Sequence, residues 1–372
     1  MAAVPTIPED PSVKSARSML IPSIRMYDLM NAPFSTGDPS RIVGWNASRQ
    51  VIDTLGVYRL VILALPGFSQ LSLSSFVDPL RLANSVSGRS FFQWTIASLD
   101  GKPVECASGF ILSVGSDFAD TGECVQAGKG PSMVIVCAGE RVEKHTSTAL
   151  SKILRLCKRH GVPIAALGTA TWLLADSGLL DNSACTIHWD KRAALSEKFD
   201  RLQVTDRLFV RDTHIVTCAG EFASFDLVME LISERLGRET ALAVCRHTTA
   251  GHWRSASDRQ WTINASEAGV SKPLAEVIRI MEEHIEDPLP LRDIAKCVGR
   301  SQRQIERLFQ RSVSSSPMRF YLHLRLSRAK RLIRQTELPI VEIAIACGFA
   351  SASHFSKCFR EAFGANPSTC RR

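Results

Sequence analysis

The chain is 372 residues long, 45% apolar and 22% charged, with 45 Lys and Arg against 37 Asp and Glu for a net charge of +8. These proportions fit a globular protein of about two domains and exclude a wholly disordered, collagen-like or coiled-coil chain. No run of about 18 consecutive apolar residues occurs, so no transmembrane helix is expected, and Glu9 and Asp10 sit where a signal peptide would need an apolar core.

Residues 1–55 are rich in Pro, Ser and Asn without sustained periodicity and read as a disordered tail. From Val57 the pattern changes. VYRLVILALPG is a short apolar run ending in Pro-Gly, the signature of a buried strand and its exit turn. LSSFVDPLRLAN has helical spacing, and FFQWTIASLDG alternates and ends in Asp-Gly, a hairpin signal. PSMVIVCAG and VPIAALG are further buried strands, separated by the amphipathic helix STALSKILRLCKRHG and followed by the helix TATWLLADSG. FVRDTHIVTCAG reads as a hairpin-like pair, and EFASFDLVMELISERLG as a helix ending at Gly237. Strands alternating with helices over 56–248 predict an α/β domain on a mostly parallel sheet. Residues 249–271 are polar and aperiodic and read as a linker.

Residues 272–372 contain no strand pattern and predict an all-α domain. They hold 18 Lys and Arg against 10 Asp and Glu, so the whole excess of positive charge lies here, and residues 1–271 are neutral. A basic domain joined to a neutral one suggests a polyanion partner for the basic part. The domain also repeats itself. LRDIAKCVG-RSQRQIERLFQR echoes PIVEIAIACGF-ASASHFSKCFRE, each a short helix, a Gly turn, a Ser cap and a longer helix. Both halves are helix-turn-helix patterns: Gly299 and Gly348 permit the turn, and Ser301 and Ser351 are N-cap types. Ile305, Leu308 and Phe309, and then Phe355, Phe359 and Phe363, form the apolar faces of the second helices. The opposite faces carry Gln302, Arg303, Gln304 and Arg307, then Ala352, Ser353, His354 and Lys357. Most of these side chains can bond base edges in a major groove, and the cations can also take phosphates.

The stretch PIVEIAIACGFASASHFSKCFREAFGANPSTCR resembles the C-terminal signature of the AraC/XylS transcription regulators, with Ile343, Ala344, Gly348, Phe349, Phe355, Phe359, Phe363, Gly364 and Pro367 at pattern positions. The resemblance implies two helix-turn-helix units joined by a long helix near 317–334, with Arg303 and Arg307 of the first unit and Ala352, Ser353, His354 and Lys357 of the second turned to double-stranded DNA; Gln302 and Gln304 join them as DNA-binding candidates from their place on the polar face. Upstream, LALPGFSQLSLSSFVDPLRLAN, ADSGLLD, TIHW and TDRLFVRDTHIVTCAGEFASFDL resemble the GlxA-type regulators. In these a PfpI/class I amidotransferase-like domain, a flavodoxin-like parallel sheet, precedes the AraC-type domain.

Enzymes of that fold carry a nucleophilic Cys on a sharp strand-to-helix turn. Here that turn reads Gly168-Thr169-Ala170, and the segment after the first strand, GFSQLSLSS, supplies no carboxylate before Asp78. No catalytic residue is therefore expected, and Thr169 has no evident base. Cys137 and Cys218 read first as packed thiols. Eleven cysteines without a Cys-x-x-Cys pair imply reduced thiols in a cytoplasmic protein, with neither a metal site nor a cofactor.

Open α/β sheets bind ligands at the carboxyl ends of their strands, so a pocket is expected from Phe68, Ser69, Thr169, Ala170, His188 and Trp189. In it Trp189 offers a face to a cation, with Asp190 or Asp78 as a companion carboxylate, while Trp172 is expected in the core. Within the GlxA type, TIHW, TDRLFVRD and TCAG resemble regulators of amine catabolism, which implies a betaine-, carnitine- or arginine-like inducer. A homodimer and RNA polymerase are the further partners expected, and no membrane. Two other functions stay open at this point: an amidase or hydrolase fused to a targeting module, and a DNA-binding protein whose α/β domain only dimerises.

Overall fold

The computed structural model describes residues 56–260 and 271–371. The tail expected over 1–55, and residues 261–270 of the expected linker, lie outside the described residues.

In chain order the first domain consists of β1 (Tyr58–Ala64), α1 (Gln70–Ser87), β2 (Phe92–Ser98), the short β3 (Val104–Glu105), β4 (Ile111–Leu112) and β5 (Ser116–Asp117), then α2 (Phe118–Gln126), β6 (Met133–Ala138), α3 (Thr148–Arg159), β7 (Ile164–Gly168) and α4 (Thr171–Asp176). It continues through β8 (Ala184–Thr186), α5 (Arg192–Lys198), β9 (Gln203–Thr205), β10 (Phe209–Arg211), β11 (Ile215–Cys218), α6 (Phe222–Leu236) and α7 (Arg238–His247). Seven strands form one sheet in the order β10-β11-β7-β6-β1-β2-β5. Every neighbouring pair is parallel except β10 with β11, which form the hairpin read in FVRDTHIVTCAG.

The central strands are apolar along their length because both faces are covered. Side chains alternate across a strand: Tyr58, Leu60, Ile62, Met133, Ile135 and Leu167 enter one buried cluster with α1 and α6. Leu63, Val134, Val136, Ile164 and Ala166 enter the other, with α3 and α4. One expectation is corrected. The Asp-Gly after β2 does not open a hairpin, because both neighbours of β2 are parallel, β1 and β5, and β3 pairs with β4 instead.

The chain does not leave this domain after α7. Asp226, 3% exposed on α6, accepts from the backbone N–H of Arg254 at 2.7 Å and from its guanidinium at 2.7 and 3.0 Å. Gln260 donates to the Ile187 carbonyl at 2.8 Å. Residues 254–260, read as linker, thus lie against the α/β domain.

The second domain comprises α8 (Lys272–Glu283), α9 (Leu291–Cys297), α10 (Gln302–Val313), α11 (Pro317–Gln335), α12 (Ile340–Ala346) and α13 (Ala352–Phe363). It has two small cores. Leu274, Val277, Met281, Ile294, Ile305 and Phe309 fill the first, and Ile343, Ala344, Phe349, Phe355 and Phe359 the second. The helix α11 serves both, placing Tyr321 in one and Leu326, Ala329, Leu332 and Ile333 in the other. Both domains fall in one compact unit.

Candidate functional site

Two surfaces carry chemistry. The first is the pair of exposed helix faces in the basic domain. Ser301 caps α10 through a capping box: its hydroxyl accepts from the Gln304 N–H, and the Gln304 side chain accepts from the Ser301 N–H at 2.9 Å. With Ile305 and Phe309 fully buried, Gln302, Arg303, Gln304 and Arg307 are left exposed. On α13, Ser351 accepts from the His354 N–H, and burial of Phe355 and Phe359 leaves Ser353, His354 and Lys357 exposed with Ala352 half-buried. Two of these residues have local partners. The Gln304 amide is engaged in its own cap, and His354 Nε2 lies 3.4 Å from Cys358 Sγ.

The second turn has a support that the sequence pattern did not show. Arg325 of α11 donates to the Cys347 carbonyl at 2.8 Å and the Gly348 carbonyl at 2.5 Å, and stacks over Phe349 with its guanidinium carbon 4.2 Å from the ring centre.

The second surface is the crest of the sheet, where loops leave the carboxyl ends of β1, β6, β7 and β11. Here backbones touch. A Cβ on Gly139 would fall 1.7 Å from the Gly67 carbonyl oxygen, and one on Gly220 would fall 2.5 Å from the Gly168 Cα. At the elbow from β7 to α4, Gly168 has φ +66°, and among the described residues other than its chain neighbours the atom nearest to where its Cβ would be is the Ala138 carbonyl oxygen at 3.8 Å. The turn is present and the side chain is absent. The Thr169 hydroxyl donates to the Gly139 carbonyl at 2.6 Å, and among the described residues no side-chain base is bonded to it. Cys137 and Cys218 are fully buried. Desolvation raises both thiols, Cys218 to about 12, so neither is a thiolate at neutral pH. Among the described residues no group of His, Cys, Asp and Glu could hold a metal ion.

A cleft of about 1310 Å³ opens beside this elbow, and Thr169, His188 and Trp189 line it. The other expected pocket residues stand elsewhere: Phe68 and Ala170 are fully buried, and Ser69 caps α1 and donates to Glu221 Oε2 at 2.9 Å. Trp172 is 2% exposed within a core cluster, as expected, and also reaches the cleft. Asp190 is on its wall; Asp78 is exposed on α1 and paired with Arg81. Burial lowers the His188 pKa, with the nearby carboxylates of Glu221, Asp190 and Glu140 opposing the shift, so the imidazole is neutral at neutral pH.

The far wall comes from the basic domain: residues 333–339, spanning the end of α11 and the loop to α12, and Arg371. Gln335 donates to Asp190 Oδ2 at 2.7 Å, Arg328 to Glu197 at 3.3 Å, and the Arg331 guanidinium lies 5.6 Å from the Trp189 ring centre. The aromatic face expected to await a cation therefore already holds one. Sequence reasoning also missed Glu221, whose carboxylate reaches the crest from the loop between β11 and α6.

Residues 59–234 match the DJ-1/PfpI family and residues 294–372 a helix-turn-helix domain family. The chain is 38% identical to the HTH-type transcriptional regulator GbdR of Pseudomonas aeruginosa over 82% of each chain. It is 38% identical to CdhR of the same species over 83% of this chain and 90% of that one. It is 35% identical to GlxA of Rhizobium meliloti over 86% of this chain and 97% of that one.

Proposed function

Because the chain belongs to the AraC/XylS transcriptional regulators, in the branch that places a DJ-1/PfpI domain before an AraC-type helix-turn-helix domain, we propose that it is a sensor. A small amine or amino-acid-like metabolite enters the cleft at the elbow and changes how α10 and α13 engage operator DNA. One observation carries this reading: the elbow turn is intact without a nucleophile, and the cleft beside it is walled on its far side by the DNA-binding domain. The α/β domain is then a receptor that performs no catalysis. The protein acts in the cytoplasm as a homodimer on its operator, with RNA polymerase as the downstream partner.

The DNA half rests on chemistry at two exposed helix starts. Arg303 and Arg307 lie four residues apart on one face of α10. An arginine bonded to guanine O6 and N7 contributes about 1–3 kcal/mol of discrimination. Arg303→Ala should therefore narrow the affinity ratio between operator and random duplex. Equal weakening on both duplexes would make Arg303 a phosphate clamp.

The sensing half is tested on the full chain by thermal shift and operator binding with quaternary amines, carnitine and arginine. At least one compound should raise the melting temperature and alter operator affinity. Trp189 is 51% exposed on the cleft wall; the Trp189→Ala variant should keep the wild-type melting temperature and respond less. If none of the compounds changes stability or DNA binding, the sensing reading fails.

A further inference from the structure

The two exposed helices of the basic domain are prepared for DNA differently. On α10, Arg303 and Arg307 are exposed, and among the described residues neither side chain makes a hydrogen bond or an ion pair. Long cations of this kind lose rotamer freedom when they find a partner. On α13 the imidazole of His354 is held beforehand. The His354 backbone N–H is bonded to the Ser351 cap at 3.2 Å. Its ring centre lies 5.9 Å from that of Phe349, with the planes at 58°, and Phe349 is itself covered by the Arg325 guanidinium. Its Nε2 is 3.4 Å from the Sγ of Cys358, about one helical turn further on.

The direction of this last bond follows from the two atoms. A thiol sulfur is a weak acceptor with one hydrogen to donate, whereas the unprotonated nitrogen of a neutral imidazole is a full acceptor. The Cys358 S–H therefore donates to His354 Nε2, and the one hydrogen of the neutral ring stands on Nδ1. Nδ1 makes no hydrogen bond among the described residues, and the side chain is exposed. Cys358 is 9% exposed and belongs to the core that Phe355 and Phe359 fill, so the donor is anchored while the ring it holds faces outward.

We propose that Cys358 is a positioning residue for DNA recognition: by fixing the tautomer and orientation of His354 it makes that side chain a donor, through Nδ1–H, to a base edge in the major groove. Guanine offers O6 and N7 as acceptors, adenine N7 and thymine O4, while cytosine offers only its amino donor. Guanine, with two acceptors and no donor, suits the contact best, and cytosine is the base it rejects. Because the ring is ordered beforehand, the contact loses little freedom on binding. The assignment rests on the DNA-binding reading above and deepens it, because specificity in the second unit then depends on a residue that sits in the core.

The test is selection of preferred sites from random duplexes by the full chain, with the preference of each variant scored position by position. His354→Ala marks the positions that His354 reads by the preference it loses, and the remaining positions serve as the control. In the wild type, cytosine should be the least accepted base at the His354 positions. Cys358→Ala should lose roughly three- to tenfold of discrimination there, as expected for one hydrogen bond, and keep it at the control positions. Cys358→Ser, which restores a donor, should recover most of the loss. In the free protein, nitrogen NMR of the histidines should show His354 Nε2 without a hydrogen, and Cys358→Ala should change that signal. A loss spread evenly over all positions in Cys358→Ala would reduce the thiol to a packing residue of the core. No position lost in His354→Ala, wild-type discrimination in Cys358→Ala, cytosine preferred at the His354 positions, or a hydrogen on Nε2 would each overturn the assignment and leave DNA binding intact. A wild-type chain that selects no preferred sequence removes the reading of α10 and α13 as operator binders, and this assignment with it.

Discussion

Glu221 holds a backbone conformation that side chains seldom adopt, φ 49° and ψ −131°, at the start of α6. Its N–H donates to Ser72 Oγ at 2.7 Å and its carboxylate accepts from Ser69, and these bonds hold the turn in place. Such strain costs about 1–3 kcal/mol. Glu221→Gly and Glu221→Ala both lose the carboxylate bond, and only the glycine relieves the backbone. The glycine variant should be the more stable by about that amount in denaturant unfolding; equal stabilities would show that the turn is unstrained. The sequence offers no sign of this, since the Gly-Glu-Phe of the loop reads like any other strand exit. The packed thiols were legible, because Cys137 and Cys218 sit inside apolar runs. Burial raises Cys218 from 9.0 to about 12. A thiol whose folded pKa is raised stabilises the fold fully below its unfolded pKa, and that stability is lost as pH rises toward 12. Melting temperature should fall above about pH 9, with a slope on the order of 1 kcal/mol per pH unit for each such thiol. Cys218→Ala should flatten that limb; an unchanged slope would show that the thiol is not shielded.

At the scale of elements, the two helix-turn-helix units look matched in sequence and differ in their surroundings. Gly299 has φ +61° with nothing within 4 Å of an added Cβ, whereas at Gly348, φ +73°, a Cβ would fall 2.5 Å from the Ile285 carbonyl oxygen and 2.6 Å from Pro288. Gly299→Ala should cost about 1–2 kcal/mol for the left-handed backbone alone. Gly348→Ala adds a collision with backbone and should cost clearly more, read as a larger drop in denaturation midpoint. Equal drops would mean that the second turn yields freely. Caps, turns and buried faces were legible because they are written within about twelve residues of chain. The close neighbours of Gly348 were not, since Ile285 and Pro288 lie some sixty residues away. The hairpin expected after β2 failed for the same reason: Asp100-Gly101 makes the local turn, and the choice of partner belongs to β1 and β5.

For the whole molecule, the asymmetry of charge was the most legible feature, and it governs association. A domain of net charge +8 that neutralises six to ten phosphates loses about 10³–10⁵-fold in affinity between 50 and 200 mM salt. Operator binding of the full chain should show that slope, and a flat response would separate the basic charge from DNA contact. The location of half the cleft was not legible. Asp190 meets Gln335 across 145 residues, a pairing that no periodicity or motif encodes.

That contact changes what counts as an interchangeable part. Helix α11 belongs to both cores of the DNA-binding domain, and its outer face rests on α5 and Trp189. A hybrid regulator built by grafting this α/β domain onto another protein's helix-turn-helix pair would carry Thr169, His188 and Trp189 and leave behind Arg334, Gln335 and Arg371. If the cleft is the receptor proposed above, such a hybrid should bind its new operator and no longer answer to its old signal. On that reading a graft that keeps the cleft whole carries α11, the following loop and Arg371 with the α/β domain and alters only the exposed faces of α10 and α13.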